Sequence, residues 1–196
     1  LPVSGEVNPD DFGSTFSHTN ESAHPGYYQV YLERYGINAE LTSTLRCGYH
    51  RYTYKDNAQA KKLVVNLAVS NERIRDWHIE QDGDHAFKGF QRSGEAVFFY
   101  AAANYQIKEI RQLGSGRHRL PVVTFADGNT PLEIKIGLSF VSTENARTNL
   151  AQELGGKNFA EVKADASATW EKLLSKIQLS GGTERQKELF YSCLYR

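Results

Sequence analysis

Phe16-Ser-His-Thr-Asn-Glu-Ser-Ala-His-Pro-Gly-Tyr-Tyr28 is the densest run of chemically capable side chains in this 196-residue sequence. His18 and Glu21 are its candidate binding residues. An imidazole can donate and accept hydrogen bonds and a carboxylate accepts them, so the pair can hold a sugar hydroxyl, face a metal or orient a ligand. The same spacing also fits a structured loop in which His18 and His24 bond backbone and Pro25-Gly26 sets the turn into a strand. Asp82-Gly-Asp-His85 superficially resembles an acidic calcium loop but lacks the late Glu of that pattern, so a hairpin turn is expected. Gly114-Ser-Gly116 with Arg117-His-Arg119 has the residues of an anion grip. No helix opens behind it, as a phosphate loop would need, and a loop is expected.

Aromatic faces suit the apolar face of a pyranose, which brings Trp77, Trp170 and the tyrosines into consideration. Trp170 falls on a helical apolar stripe and reads as core. Trp77 sits between Asp76 and His78 near a strand start, and its role stays open. No Ser-His-Asp, Cys-His or G-x-S-x-G arrangement stands out, and no metal-type Cys/His spacing is present. Cys47 and Cys193 read as unrelated free thiols. A pair of hydrolytic carboxylates cannot be picked out of 23 acids by position alone.

Those residues must be held by something, and composition sets its class. The chain is long enough for one domain with a real core, or for one domain and an appendage. Lys+Arg and Asp+Glu both number 23, so the net charge is zero and gives no electrostatic case for nucleic acid or an anionic membrane. No apolar run approaches the roughly 20 residues of a membrane helix. Eleven Tyr and ten Phe suit a β-rich protein. The chain opens on Leu1 without a signal peptide, which fits processing or a fragment.

Periodicity locates the elements. Residues 1–14 read as a loop. Gly26–Glu33 alternates, with Tyr28, Val30 and Leu32 on one face and Tyr27, Gln29 and Tyr31 on the other. Ile37–Thr42 places Ile37, Ala39 and Leu41 inward, and Arg46–Tyr54 reads as a third strand before a turn at Asp56-Asn57. Leu63–Val69 reads as a strand covered on both faces. Further strands are expected at about 76–81, 86–92, 96–104, 106–112, 121–126 and 131–140, with Asp127-Gly128 as a hairpin signal between the last two. Strands at this spacing predict an antiparallel β-sandwich.

After Ser139 the period changes. Ser142 or Thr143 can cap a helix over 143–154 that ends at Gly155-Gly156. Asn158 and Glu161 match a capping box, with Phe159, Val162, Ala166, Trp170, Leu173 and Leu174 at helical spacing behind it. Thr183 and Gln186 form a second capping-box match, opening a helix that runs to the end of the sequence. The expected division is a sandwich over 1–140, a helical linker over 141–182 and the first helix of a further domain over 183–196.

Four segments, taken in order, resemble glycoside hydrolase family 92, the calcium-dependent exo-α-mannosidases. They are Phe16–Tyr28, Tyr35–Thr42 with Arg46–Thr53, Ile136-Gly-Leu-Ser-Phe-Val-Ser-Thr-Glu-Asn-Ala-Arg147, and Gly181-Gly-Thr-Glu-Arg-Gln-Lys-Glu-Leu-Phe-Tyr191. The resemblance covers nearly the whole chain and is carried by four motifs that are individually weak. It implies an N-terminal β-sandwich of the supersandwich type, a helical linker and a C-terminal (α/α)6 barrel with the active site between them. It further implies removal of terminal α-linked mannose, with α-1,2 linkages the expected target, by inversion. The general acid Glu, the general base Asp and most calcium ligands would come from the barrel, outside this chain, and Gly-rich motifs near the family's N-terminus are not found here. No catalytic or metal residue therefore carries over by position. His18 and Glu21 remain substrate-binding candidates, the partner is a mannose-containing glycan, and a periplasmic or extracellular location is implied.

Two other classes fit the composition: a stand-alone carbohydrate-binding sandwich without catalysis, and an adhesion-type sandwich, which leaves the helices unexplained. The first reading predicts apolar surface left exposed on the helices of 143–196.

Overall fold

The computed structural model describes residues 1–56, 60–116 and 119–195. Asn57 of the expected turn and Arg117 and His118 of the basic motif lie outside the described residues. Twelve strands are present among them: β1 (Pro2–Ser4), β2 (Glu21–His24), β3 (Tyr27–Leu32), β4 (Ile37–Ser43), β5 (Cys47–Tyr54), β6 (Lys61–Val64), β7 (Asp76–Gln81), β8 (Ala86–Arg92), β9 (Ala96–Ala103), β10 (Ile107–Leu113), β11 (Leu120–Phe125) and β12 (Leu132–Ser139). Three helices follow: α1 (Thr143–Leu154), α2 (Phe159–Leu174) and α3 (Glu184–Tyr195).

The strands form two antiparallel sheets, a smaller one in the order β1-β6-β11-β10 and a larger one in the order β2-β3-β4-β5-β12-β9-β8-β7. Alternation explains which side chains meet between them. Ile37, Ala39, Tyr52, Ile134 and Phe87 of the larger sheet pack against Leu63, Val123, Phe125 and Ile107 of the smaller one in one shared core. The result is the expected sandwich, with a third layer of helix. α1 and the first half of α2 lie on the outer face of the larger sheet, where Leu154, Phe159 and Val162 cover Cys47 and Tyr49, and Ala146 covers Ala86 and Tyr100.

Several expectations need correction, among them β2, which lies inside the Phe16–Tyr28 run read as a loop. Residues 1–14 contain β1, because Val3 is fully buried against Val64, Leu120 and Val122. The strand expected over 63–69 is shorter, since β6 ends at Val64, the Val65 amide makes the last bond to β11, and Val69 is 66% exposed. Asp127-Gly128 is not a hairpin turn, because β11 and β12 belong to different sheets. The glycine there answers a close approach instead: a Cβ at Gly128 would run into the Tyr105 ring, and the Gly128 carbonyl accepts from the buried Lys61 ammonium. The Asp82–His85 segment is a β7–β8 hairpin turn, with Gly83 at φ +76°.

The corner between β12 and α1 is the most tightly specified junction. Ser142 caps α1 by accepting from the Asn145 amide at 3.0 Å. The buried Asn149 donates to the Leu138 carbonyl at 2.8 Å, and Ser139 Oγ accepts from the Val141 amide at 2.9 Å. Asn158 and Glu161 close their reciprocal capping box at 3.0 and 2.8 Å. Trp170 is only half-buried, with its ring tilted against that of Tyr195 at 4.5 Å, so it is no core residue.

His50 faces inward from β5, with Nδ1 2.7 Å from the Tyr52 hydroxyl. Burial, with a smaller contribution from the Leu1 amino group, lowers its pKa to about 4. The imidazole is therefore neutral in the fold and protonates more readily once unfolded. Stability should fall as pH drops from about 6.5 towards about 4, by on the order of 1–2 kcal/mol for this partly exposed residue. Urea unfolding at pH 7 and pH 5 should register the loss, and His50→Gln should reduce it.

Candidate functional site

Ser17, His18 and Glu21 are placed by a single turn of 3-10 helix, His18–Asn20, that leads directly into β2. Ser17 Oγ accepts from the Thr19 amide at 3.3 Å and caps the turn. His18 Nδ1 then lies 2.5 Å from Glu21 Oε2, and the Tyr28 hydroxyl donates to Glu21 Oε1 at 2.5 Å. Both carboxylate oxygens are therefore engaged. The Tyr28 hydrogen bond, followed by that of His18, holds Glu21 below the usual carboxylate range. A carboxylate so held has no proton to donate; it fixes the imidazole and leaves His18 Nε2 for a ligand. His18 itself is highly exposed and stands edge-on to Phe16 at 5.5 Å.

His24, from the same sequence cluster, does not join this pair. It lies on β2, with Nε2 3.1 Å from Ser22 Oγ. Tyr28→Phe should let the Glu21 titration move upward, and His18→Ala should move it upward too. Carboxyl-carbon NMR over an acid titration would measure both. An unchanged Glu21 midpoint in Tyr28→Phe would rule out the hydrogen bond as its main cause.

Beside this triad, Thr19, Asn20, Glu21, Gln29, Tyr31 and Asn38 are among the residues lining an open cleft of about 510 Å³. Amide and hydroxyl groups dominate the lining, a donor set suited to the hydroxyls of a sugar. Sequence reasoning singled out only Glu21 here. The usable signal was the outward alternation of Gln29 and Tyr31, opposite the core-facing Val30 and Leu32.

A hydrogen-bond chain ties the cleft to the helices. Gln29 Nε2 donates to Asn38 Oδ1 at 3.1 Å, and the Tyr27 hydroxyl donates to Gln29 Oε1 and Glu40 Oε1, both at 2.8 Å. The Glu40 carboxylate accepts from Arg51 Nε at 2.9 Å and from an Arg51 terminal nitrogen at 2.8 Å. Register explains the assembly: Gln29 faces Glu40 across β3–β4, and Glu40 faces Arg51 across β4–β5. Arg51 lies 4.3 Å from the Phe159 ring centroid, and Lys163 lies 3.4 Å from that of Tyr27, so α2 covers the row. Burial, then the Glu40 carboxylate, pushes the Tyr27 hydroxyl up to about 12. Gly26, at φ +82°, lets the β2–β3 turn approach Ala166 and Trp170 closely.

Among the described residues, no group of three or more His, Cys, Asp and Glu side chains is placed to hold a metal ion. Cys47 is buried, with its thiol pushed up to about 11 by burial and then by Glu153, and is free, as is the exposed Cys193. No described helix is long and apolar enough to cross a membrane.

Comparison with known proteins bears on what these residues belong to. A model of the glycosyl hydrolase family 92 N-terminal domain matches residues 1–139, and one of the family 92 catalytic domain matches residues 145–196. The structure of a family GH92 alpha-mannosidase from Bacteroides thetaiotaomicron superposes with a TM-score of 0.86 at 27% identity, covering 99% of this chain and 30% of that one. The same enzyme in complex with mannoimidazole gives a TM-score of 0.84 at 27% identity over the same shares. A family GH92 inverting mannosidase from Bacteroides thetaiotaomicron VPI-5482 has the same fold, with a TM-score of 0.86 at 22% identity over 100% of this chain and 28% of that one. An uncharacterized secreted glycosidase of Arthroderma benhamiae is 23% identical over 215 residues, covering 89% of this chain and 28% of that protein. The chain thus spans less than a third of the length of these relatives.

Proposed function

The chain belongs to glycosyl hydrolase family 92, and from that membership we propose that it forms the N-terminal part of an exo-acting α-mannosidase that removes terminal α-1,2-linked mannose from glycans with inversion. The likeness of the whole chain to a solved α-mannosidase, 27% identical over 99% of its residues, is the observation that carries this reading. In it, residues 1–140 are the sandwich, 141–182 a helical linker and 183–196 the first helix of an (α/α)6 barrel. His18 and Glu21 contact the mannose-containing glycan from the sandwich side, while the acid and base carboxylates lie outside this chain.

The unpartnered side of α3 supports the division. None of its residues is buried, and Leu189, Leu194 and Tyr195 expose 66%, 38% and 45% of their surface. Leu173, Ile177 and Leu179 continue the apolar surface, at 44%, 45% and 41%. Apolar exposure of this extent is what a missing packing partner leaves behind. An inverting hydrolase needs two carboxylates about 6.5–9.5 Å apart, and the one carboxylate of the candidate site is already committed to His18 and Tyr28. Calcium, in this reading, is bound mainly by the C-terminal domain. The relative described as a secreted glycosidase supports a periplasmic or extracellular location.

Proton NMR of the first sugar released from α-1,2-mannobiose by the full-length gene product tests the proposal. β-Mannose should appear first and mutarotate to the α-anomer, and chelation with EDTA should abolish the release. α-Mannose appearing first would contradict inversion. Activity on another linkage in preference to α-1,2 would contradict the stated specificity.

A further inference from the structure

At the far edge of the larger sheet from the His18 turn, a half-open cavity of about 730 Å³ lies between the β7 edge and the residues that precede β11. The segment before β7 supplies Arg73 and Arg75, β7 supplies Trp77, and the start of β11 region supplies Arg119. Gly94 and Gly116 leave its mouth open, since a side chain at either would meet nothing within 4 Å. Arg119 is already ordered: its guanidinium lies 4.9 Å from the Trp77 ring centroid, its Nε donates to the Gly116 carbonyl at 3.2 Å, and a terminal nitrogen donates to Gln112 at 3.3 Å. Arg73 and Arg75 are exposed and form no ion pair with a described residue. Glu72 and Asp76 also line the cavity, leaving three guanidinium groups against two carboxylates among the described residues.

Resting on the glycosidase reading for the choice of a sugar, we propose that this cavity is a second saccharide site whose ligand carries a phosphate or carboxylate group. Guanidinium groups present planar forks of donors that match the oxygens of either anion, and stacking on an indole holds one such fork in place before the ligand arrives. The volume falls in the range that takes one or two sugar rings. The indole face is occupied by Arg119, so the guanidinium groups hold the anionic group, and the sugar adds contacts to the rest of the lining. Seven strand spacings of about 4.8 Å separate the two edges of the sheet, placing the cavity about 34 Å along the sheet from its β2 edge beside Glu21. It is therefore an anchoring site for a charged glycan rather than an extension of that cleft.

Isothermal titration of the chain with mannose 6-phosphate, mannuronic acid, inorganic phosphate and methyl α-mannoside tests it. The two sugar anions should bind at one saturable site that weakens with added salt, and methyl α-mannoside should not compete. Arg73→Ala with Arg75→Ala, two exposed side chains outside the core, should weaken binding by about tenfold or more. Glu72→Gln should strengthen it, and unchanged melting curves would verify that the variants are folded. Absence of saturable binding would overturn the proposal, as would equal affinity in the double arginine variant. Inorganic phosphate binding as tightly as mannose 6-phosphate would equally overturn it, leaving a bare anion site.

Discussion

Replacing Gly137 with valine is expected to cost about 3 kcal/mol, near the upper end of what overpacking usually costs. Gly137 lies buried on β12, on the outer face of the larger sheet. A Cβ there would be driven into the Ala146 carbonyl of α1 and within 2.9 Å of Leu150 Cβ. Backbone cannot retreat from a side chain as a flexible neighbour can, so α1 must lift. Lifting it also breaks the Asn149 bond to the Leu138 carbonyl and uncovers Ala86, Ala146 and Tyr100. Gly137→Ala should do the same to a lesser degree. Urea denaturation with helical circular dichroism would read the loss, and a variant as stable as the parent would show that α1 does not rest on β12 as described.

Arg51→Ala should have the next largest effect, about 2–3 kcal/mol, reduced from the 3–5 expected for a fully buried pair because Arg51 retains some exposure. Its Glu40 partner is only 8% exposed. Burial alone would raise the Glu40 pKa, but Arg51 and the Tyr27 hydroxyl outweigh it and hold the carboxyl below its usual range. In the parent this contribution is present above the unfolded pKa and is lost as pH falls through the lower, folded value. Without Arg51, burial dominates and the folded pKa rises above the unfolded one. The gap in stability between parent and variant should then narrow as pH falls from neutral to about 4. A gap independent of pH would mean that Arg51 acts through its packing on Phe159 alone.

Much of this arrangement was legible in the sequence. The alternation of Tyr28, Val30 and Leu32 against Tyr27, Gln29 and Tyr31 assigned both faces of β3, because one face is buried and the period is fixed. Ser142, Asn158 and Thr183 marked helix starts, since unpaired amides at a helix N-terminus need nearby oxygens. The failures share a cause. β1 and β2 are short strands whose place depends on distant partners, Val64 for one and β3 for the other. The Asp127-Gly128 signal was local, and the glycine was required by Tyr105, more than twenty residues earlier in sequence. His18 and Glu21 could be placed as a pair by their spacing, but the donation from Tyr28 to Glu21 depends on the β2–β3 register, and the Arg73–Arg119 cavity depends on two sheet edges meeting.

Mannose release from α-1,2-mannobiose, compared between the full-length gene product and the 196-residue chain, tests the central claim most directly. The account predicts release by the full-length product and none by the chain alone, with His18→Ala in the full-length product lowering kcat/KM by about tenfold, as loss of a charge-assisted hydrogen bond to substrate would. Turnover by the isolated chain would contradict it, because the catalytic carboxylates would then lie within these residues. A full-length product that binds mannosides without cleaving them would contradict it from the other side, and would make the sandwich a carbohydrate-binding module.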